Sequence, residues 1–121
     1  MRAVISIGEK DVPMVSNGAI DIIYRQVFHE DIVKLQYEMG DDDIPGLLNC
    51  MMKMGFIMAK AAELDNVREL MQLTEDDFVE WLMQFDRAQY IEVLPKIRDV
   101  YEGQQVTTAE SKKNPDPQSD Q

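Results

Sequence analysis

Val4-Ile5-Ser6-Ile7-Gly8-Glu9-Lys10-Asp11-Val12-Pro13-Met14-Val15 is followed by Ser16-Asn17-Gly18-Ala19-Ile20, and this opening stretch decides the fold. Apolar and polar residues alternate over 3 to 7 and 12 to 15, the period-2 spacing of strands, and Gly8 supplies the backbone freedom of a short connection. The pattern predicts an N-terminal β-hairpin over about residues 3–15. Pro13 cannot donate to a ladder, so its strand is an edge or the proline turns its missing N–H outward. An isolated two-stranded hairpin is marginal in water, so its apolar face must pack on something else.

Everything after it reads as helix. Ser16 or Asn17 is placed to cap a helix from about Gly18 to Phe28, with Ile20, Ile23, Tyr24, Val27 and Phe28 following the i, i+3, i+4 rule. His29 follows that helix where a left-handed residue closes the turn, which predicts a positive φ there. Asp31 caps a second helix carrying Ile32, Leu35 and Met39, ended by Gly40. Asp41-Asp42-Asp43 precede Ile44-Pro45 at the start of a third, over 45 to 64. On that helix Asn49, Lys53, Phe56, Lys60 and Glu63 share one narrow line and the rest of the circumference is apolar. Such a helix is either central to a bundle or packed on both its own domain and a partner.

A short helix over Val67 to Leu73 comes next. Thr74 and Asp77 then have capping-box spacing before Phe78, Trp81, Leu82 and Phe85. Asp86 and Gln89 repeat the spacing before Tyr90, Leu94, Ile97 and Tyr101, with a kink or restart at Pro95 and a stop at Gly103. The expected architecture is mainly α: a bundle of five to six helices with an N-terminal β-hairpin, one domain over 1–103, and a disordered polar tail over 104–121.

The charge and composition narrow the function. A formal net charge of −11 repels nucleic-acid phosphates and anionic lipids, so neither nucleic acid nor membrane is an expected partner. The longest apolar stretch, Leu47 to Met58, is broken by Asn49 and Lys53 and falls short of the roughly 20 residues that cross a bilayer. The N-terminus lacks the apolar segment of a signal peptide, and the single cysteine, Cys50, suits a reducing interior. One His and one Cys give a poor basis for nucleophilic catalysis, and no phosphate-cradling glycine loop is present, so no enzymatic activity and no cofactor are expected. Three consecutive aspartates lack the alternate ligand spacing of a calcium loop, so no metal is expected.

Nine methionines are many for 121 residues. They either fill irregular gaps in a helical core or supply adaptable contacts to apolar helices of a partner. Phe56, an aromatic on a polar line, is a partner contact or a lid over an adjacent element, and Trp81 lies on a helix whose stripe Phe78, Leu82 and Phe85 already fill.

Ile5-Ser6-Ile7-Gly8-Glu9-Lys10-Asp11-Val12-Pro13-Met14-Val15-Ser16-Asn17-Gly18-Ala19, with Tyr24-Arg25-Gln26-Val27-Phe28, resembles the start of tail assembly chaperones from long-tailed phages and prophages of Gram-positive bacteria. Ile57-Met58-Ala59-Lys60-Ala61-Ala62-Glu63 and Glu75-Asp76-Asp77-Phe78-Val79-Glu80-Trp81-Leu82-Met83-Gln84-Phe85-Asp86 also fit that pattern, so the resemblance spans about residues 4 to 102. His29 departs from it, standing where Gly is common. The resemblance implies a non-enzymatic chaperone in the host cytoplasm that binds and solubilises the tape measure protein, self-associates, and is absent from the mature virion. The tail tube protein is a further partner it suggests. It also implies a longer frameshifted product, with Lys112-Lys113 where an A-rich slippery run would fit. The residues expected to meet the partner are Met52, Phe56, Ile57, Trp81 and Met83. The competing readings are an acidic prophage regulator that mimics DNA, and a structural tail component.

Overall fold

In the computed structural model, which describes residues 1–38 and 44–103 and only the backbone of 37 and 38, the alternating runs are strands β1 (Arg2–Ile7) and β2 (Lys10–Val15). They pair antiparallel, with Ile7 opposite Lys10, Ile5 opposite Val12 and Ala3 opposite Met14. The two-residue connection Gly8-Glu9 has its positive φ, 62°, at the first central position, the requirement of a type II′ turn. Ala3, Ile5, Ile7 and Met14 are buried on one face, and Ser6 donates to Asp11 at 2.7 Å on the other. The mutual bonds of Met1 and Ser16 extend the ladder by one step.

Seven helices follow among the described residues: α1 (Ile20–Phe28), α2 (Ile32–Glu38), α3 (Ile44–Glu63), α4 (Val67–Met71), α5 (Glu75–Leu82), α6 (Arg87–Glu92) and α7 (Leu94–Tyr101). The count exceeds five to six because the chain breaks at Val93, two residues before Pro95, which lacks the N–H needed to continue α6. Helix α1 starts two residues later than its sequence suggests. Asn17 Oδ1 accepts from the Ala19 N–H at 2.9 Å in a local turn, and Ala19 takes the cap position with no side-chain bond.

The remaining caps match the sequence. Asp31 Oδ1 accepts from the Val33 and Lys34 N–H groups, and Thr74 and Asp77 close a reciprocal capping box. Asp86 accepts from the Gln89 N–H at 3.2 Å, but the Gln89 side chain lies against Gly8 instead of returning to the cap. His29 adopts φ 58° and its N–H donates to the Arg25 carbonyl at 2.8 Å, closing α1.

Helix α3 is the centre. It packs against α1, α5, α6 and α7, while β2 lies along it and β1 meets α7. Cys50, Met51 and every residue from 53 to 59 are buried, so the helix is covered around its middle turns on all sides. The polar line drawn through Lys53 and Phe56 therefore runs under α1 and α5, not along solvent. Expectations for Gly40, Asp41-Asp42-Asp43 and the tail over 104–121 lie outside the described residues.

One contact fixes how closely the last helices approach α3. The Tyr90 hydroxyl donates to the Met52 carbonyl at 2.7 Å, and a Cβ on Gly55 would sit 2.4 Å from that hydroxyl oxygen and 3.0 Å from Ile97 Cδ1. Gly55 is the gap that admits Tyr90.

Candidate functional site

Of the five residues expected to meet a partner, two are wholly inside. Phe56 and Ile57 expose 0 % of their surface. The Phe56 ring is ringed by Phe28, Phe78 and Trp81, with centroids 6.3, 5.5 and 5.6 Å away. Its place on a polar helical line was misleading because α1 and α5 cover that line, and edge-to-face aromatic packing needs no polar partner. The assignment of Phe56 and Ile57 to a binding surface is thus corrected to the core. Met52 is half-buried, Trp81 is 9 % exposed, and Met83, at the end of α5, is 80 % exposed. These five do not form one surface.

Lys53 is 8 % exposed, on the same line. Its Nζ lies 3.1 and 3.2 Å from the two Glu30 carboxylate oxygens and 5.1 Å from the centroid of Phe28. Tyr24 donates its hydroxyl to Glu30 Oε1 at 3.0 Å. Burial, and then the neighbouring Cys50 and Glu30, push the Tyr24 phenol well above the usual tyrosine range. The cluster is a satisfied core contact: cation, carboxylate and hydroxyl each find a partner.

Two openings flank α3. Along its N-terminal half, Ile44, Leu47, Leu48 and Met51 recur at i, i+3, i+4 and i+7, a single apolar stripe. Leu47, Leu48 and Met51 face Leu94 and Pro95 of α7 across a cleft of about 380 Å³, rimmed by Arg98, Asp99 and Glu102. Arg98 Nε pairs with Glu102 at 3.2 Å along that rim. Leu47 and Leu48 remain partly exposed and Ile44 is exposed, so the stripe is not fully used by the fold.

Beside the C-terminal half, a shallower groove of about 730 Å³ runs between β2 and the end of α5, with Ala59, Trp81 and Phe85 among its walls and Lys10, Lys60 and Glu63 around it. Of the residues expected to contact a partner, only Trp81 lines it. His29 is exposed and serves the turn that closes α1, as its position in the sequence predicts.

The chemistry available in both openings is burial of a partner's apolar groups. No group of three His, Cys, Asp or Glu side chains converges among the described residues, and no described helix is long and apolar enough to cross a membrane. The cleft residues were visible in the sequence as part of an all-round apolar helix. What singles them out, incomplete cover by α7, depends on packing. Compared with known proteins, the chain matches no family model, and neither a characterised protein nor a solved structure is significantly similar to it.

Proposed function

We propose that this chain is a tail assembly chaperone of a long-tailed phage or prophage, which holds the apolar helices of the tape measure protein in solution in the host cytoplasm. The observation that carries the reading is the half-covered stripe Ile44, Leu47, Leu48 and Met51 beside Leu94 and Pro95. A cleft of this size accepts one or two aliphatic side chains of an amphipathic helix, the helix-in-groove mode. The charged rim and the net charge of −11 keep the chaperone and its loaded client dispersed. Many weak contacts of this kind, repeated by several copies along a long client, add to high avidity. Self-association and a contact with the tail tube protein belong to the same reading.

Co-expression with the tape measure protein tests it. The full chain should raise the soluble fraction of the client, and Leu47→Asp should abolish this while circular dichroism and melting temperature stay near those of the parent. A client equally insoluble with and without the chaperone refutes the function. A client kept soluble by Leu47→Asp moves the contact away from the cleft.

A further inference from the structure

The outer faces of α1 and α5 match each other in spacing and in charge. On α1, Ile20, Ile23, Tyr24, Val27 and Phe28 are buried, so Ile22, Arg25 and Gln26, at i, i+3 and i+4, form a stripe on the side away from the core. On α5, Phe78 and Trp81 are buried and Asp76, Val79 and Glu80 form the outward stripe. Met83 continues it, since its backbone is still helical at φ −65° and ψ −14°. Ile22 and Val79 each expose more than half of their surface and Met83 exposes 80 %, so the fold leaves three large apolar side chains uncovered on these two stripes.

The two stripes carry opposite charge. Arg25 is the cation of the first, which holds no carboxylate. The acidic residues nearest in sequence are engaged elsewhere: Asp21 accepts from the Tyr101 hydroxyl at 2.7 Å, and Glu30 holds Lys53 at 3.2 Å. Glu75 comes near only on the Gln26 and His29 side, across an opening of about 300 Å³. The second stripe holds the carboxylates of Asp76 and Glu80 and no cation. None of Arg25, Asp76 and Glu80 has an ion-pair partner among the described residues.

We infer that the α1 stripe of one copy of this chain docks on the α5 stripe of a second copy, with the two helices antiparallel. That alignment seats Ile22 against Met83 and brings Arg25 between Glu80 and Asp76. The parallel alignment would set Ile22 on the Asp76 carboxylate, burying a charge against an apolar side chain. Two chains of net charge −11 repel each other in general, and this contact is one in which a cation of one copy meets carboxylates of the other. Each copy carries both stripes, so the contact joins two different faces and repeats from copy to copy. It gives a surface to the self-association in the proposed function and shares no residue with the Leu47 cleft.

Sedimentation equilibrium of the full chain, with no client present, tests it. The parent should associate reversibly, and Arg25→Glu and Glu80→Arg should each weaken association about fivefold or more by turning an attraction into a repulsion. Both positions are exposed, so circular dichroism and melting temperature should stay near those of the parent. An equimolar mixture of the two variants should associate as tightly as the parent, because each reversed stripe then finds its opposite on the other variant and the remaining contact is the parental one. For the alignment, an Ile22→Cys chain should form an intermolecular disulfide with a Met83→Cys chain and not with an Asp76→Cys chain; Cys50 is buried and does not compete. A parent that sediments as a monomer at every concentration, a mixture no more associated than its components, or equal cross-linking of Ile22→Cys to both partners would each overturn the inference. A monomeric chain that still keeps the client soluble overturns this contact and leaves the helix-binding function standing.

Discussion

Replacing Gly55 by Ala tests the packing that seats α6 and α7 on α3. In an unconstrained helix the change stabilises, by about 1 kcal/mol of propensity. Here the new Cβ would stand 2.4 Å from the Tyr90 hydroxyl oxygen and 3.0 Å from Ile97 Cδ1. Moving Tyr90 aside breaks its 2.7 Å bond to the Met52 carbonyl. Loss of that bond costs about 1 kcal/mol, and forcing a methyl into a filled core costs about 1–3 kcal/mol. The sum is a net destabilisation of about 2 kcal/mol, which for a domain of this size lowers the melting temperature by roughly 8–16 °C. The discriminating measurement is a double-mutant cycle. Tyr90→Phe alone should cost about 1 kcal/mol, but in its background Gly55→Ala should be close to neutral, because the nearest ring atom is then Cζ at 3.4 Å and the helix-propensity gain offsets the remaining 3.0 Å contact with Ile97 Cδ1. A coupling of at least about 1.5 kcal/mol is expected from chemical denaturation of the four proteins. Gly55→Ala that stabilises the parent, or costs the same in both backgrounds, refutes the argument.

Glu30→Ala leaves the Lys53 ammonium buried without its carboxylate and should cost about 2 kcal/mol, less than for a deep pair because the Glu30 side chain is 34 % exposed; adding Lys53→Met should recover most of it in urea denaturation. His29→Gly relieves a left-handed non-glycine residue and should raise stability by about 0.5–1 kcal/mol, while His29→Val should lower it by about 1 kcal/mol; identical melting temperatures would mean the turn is unstrained. Burial raises the phenols of Tyr24, Tyr90 and Tyr101 above the usual tyrosine range, so the folded chain holds protons that the unfolded chain releases. Stability is therefore intact below about pH 10 and falls as pH rises through and beyond it. The tyrosinate absorbance of these three should accordingly appear in step with the loss of helical circular dichroism, and ionisation of all four tyrosines of the chain before any unfolding would contradict their burial.

Local chemistry made most of the elements legible. Alternation across Gly8, the left-handed position of His29, and the caps at Asp31, Thr74 and Asp86 depend on neighbours within a few residues, so they can be read directly from the chain. The start of α1 was displaced because Asn17 satisfies a nearby N–H in a turn, a local competitor with the same chemistry as a cap. The candidate surface was less legible. Phe56 and Lys53 share a helical line with exposed residues, and sequence spacing reports which residues share a face without reporting what covers it.

By itself, then, the sequence determined the hairpin, the series of capped helices, the acidic surface and the choice of α3 as an apolar helix, since periodicity, turn geometry and charge are short-range properties. Only the tertiary structure decided that α1 and α5 close over Phe56, that Phe28 and Glu30 cover Lys53, that Ile57 lies in the core, and that α7 leaves Leu47 and Leu48 half-covered. It also decided that β2 and Trp81 line the same groove. Those outcomes depend on which distant segment closes over each face, and that is set by the packing of the whole domain around α3.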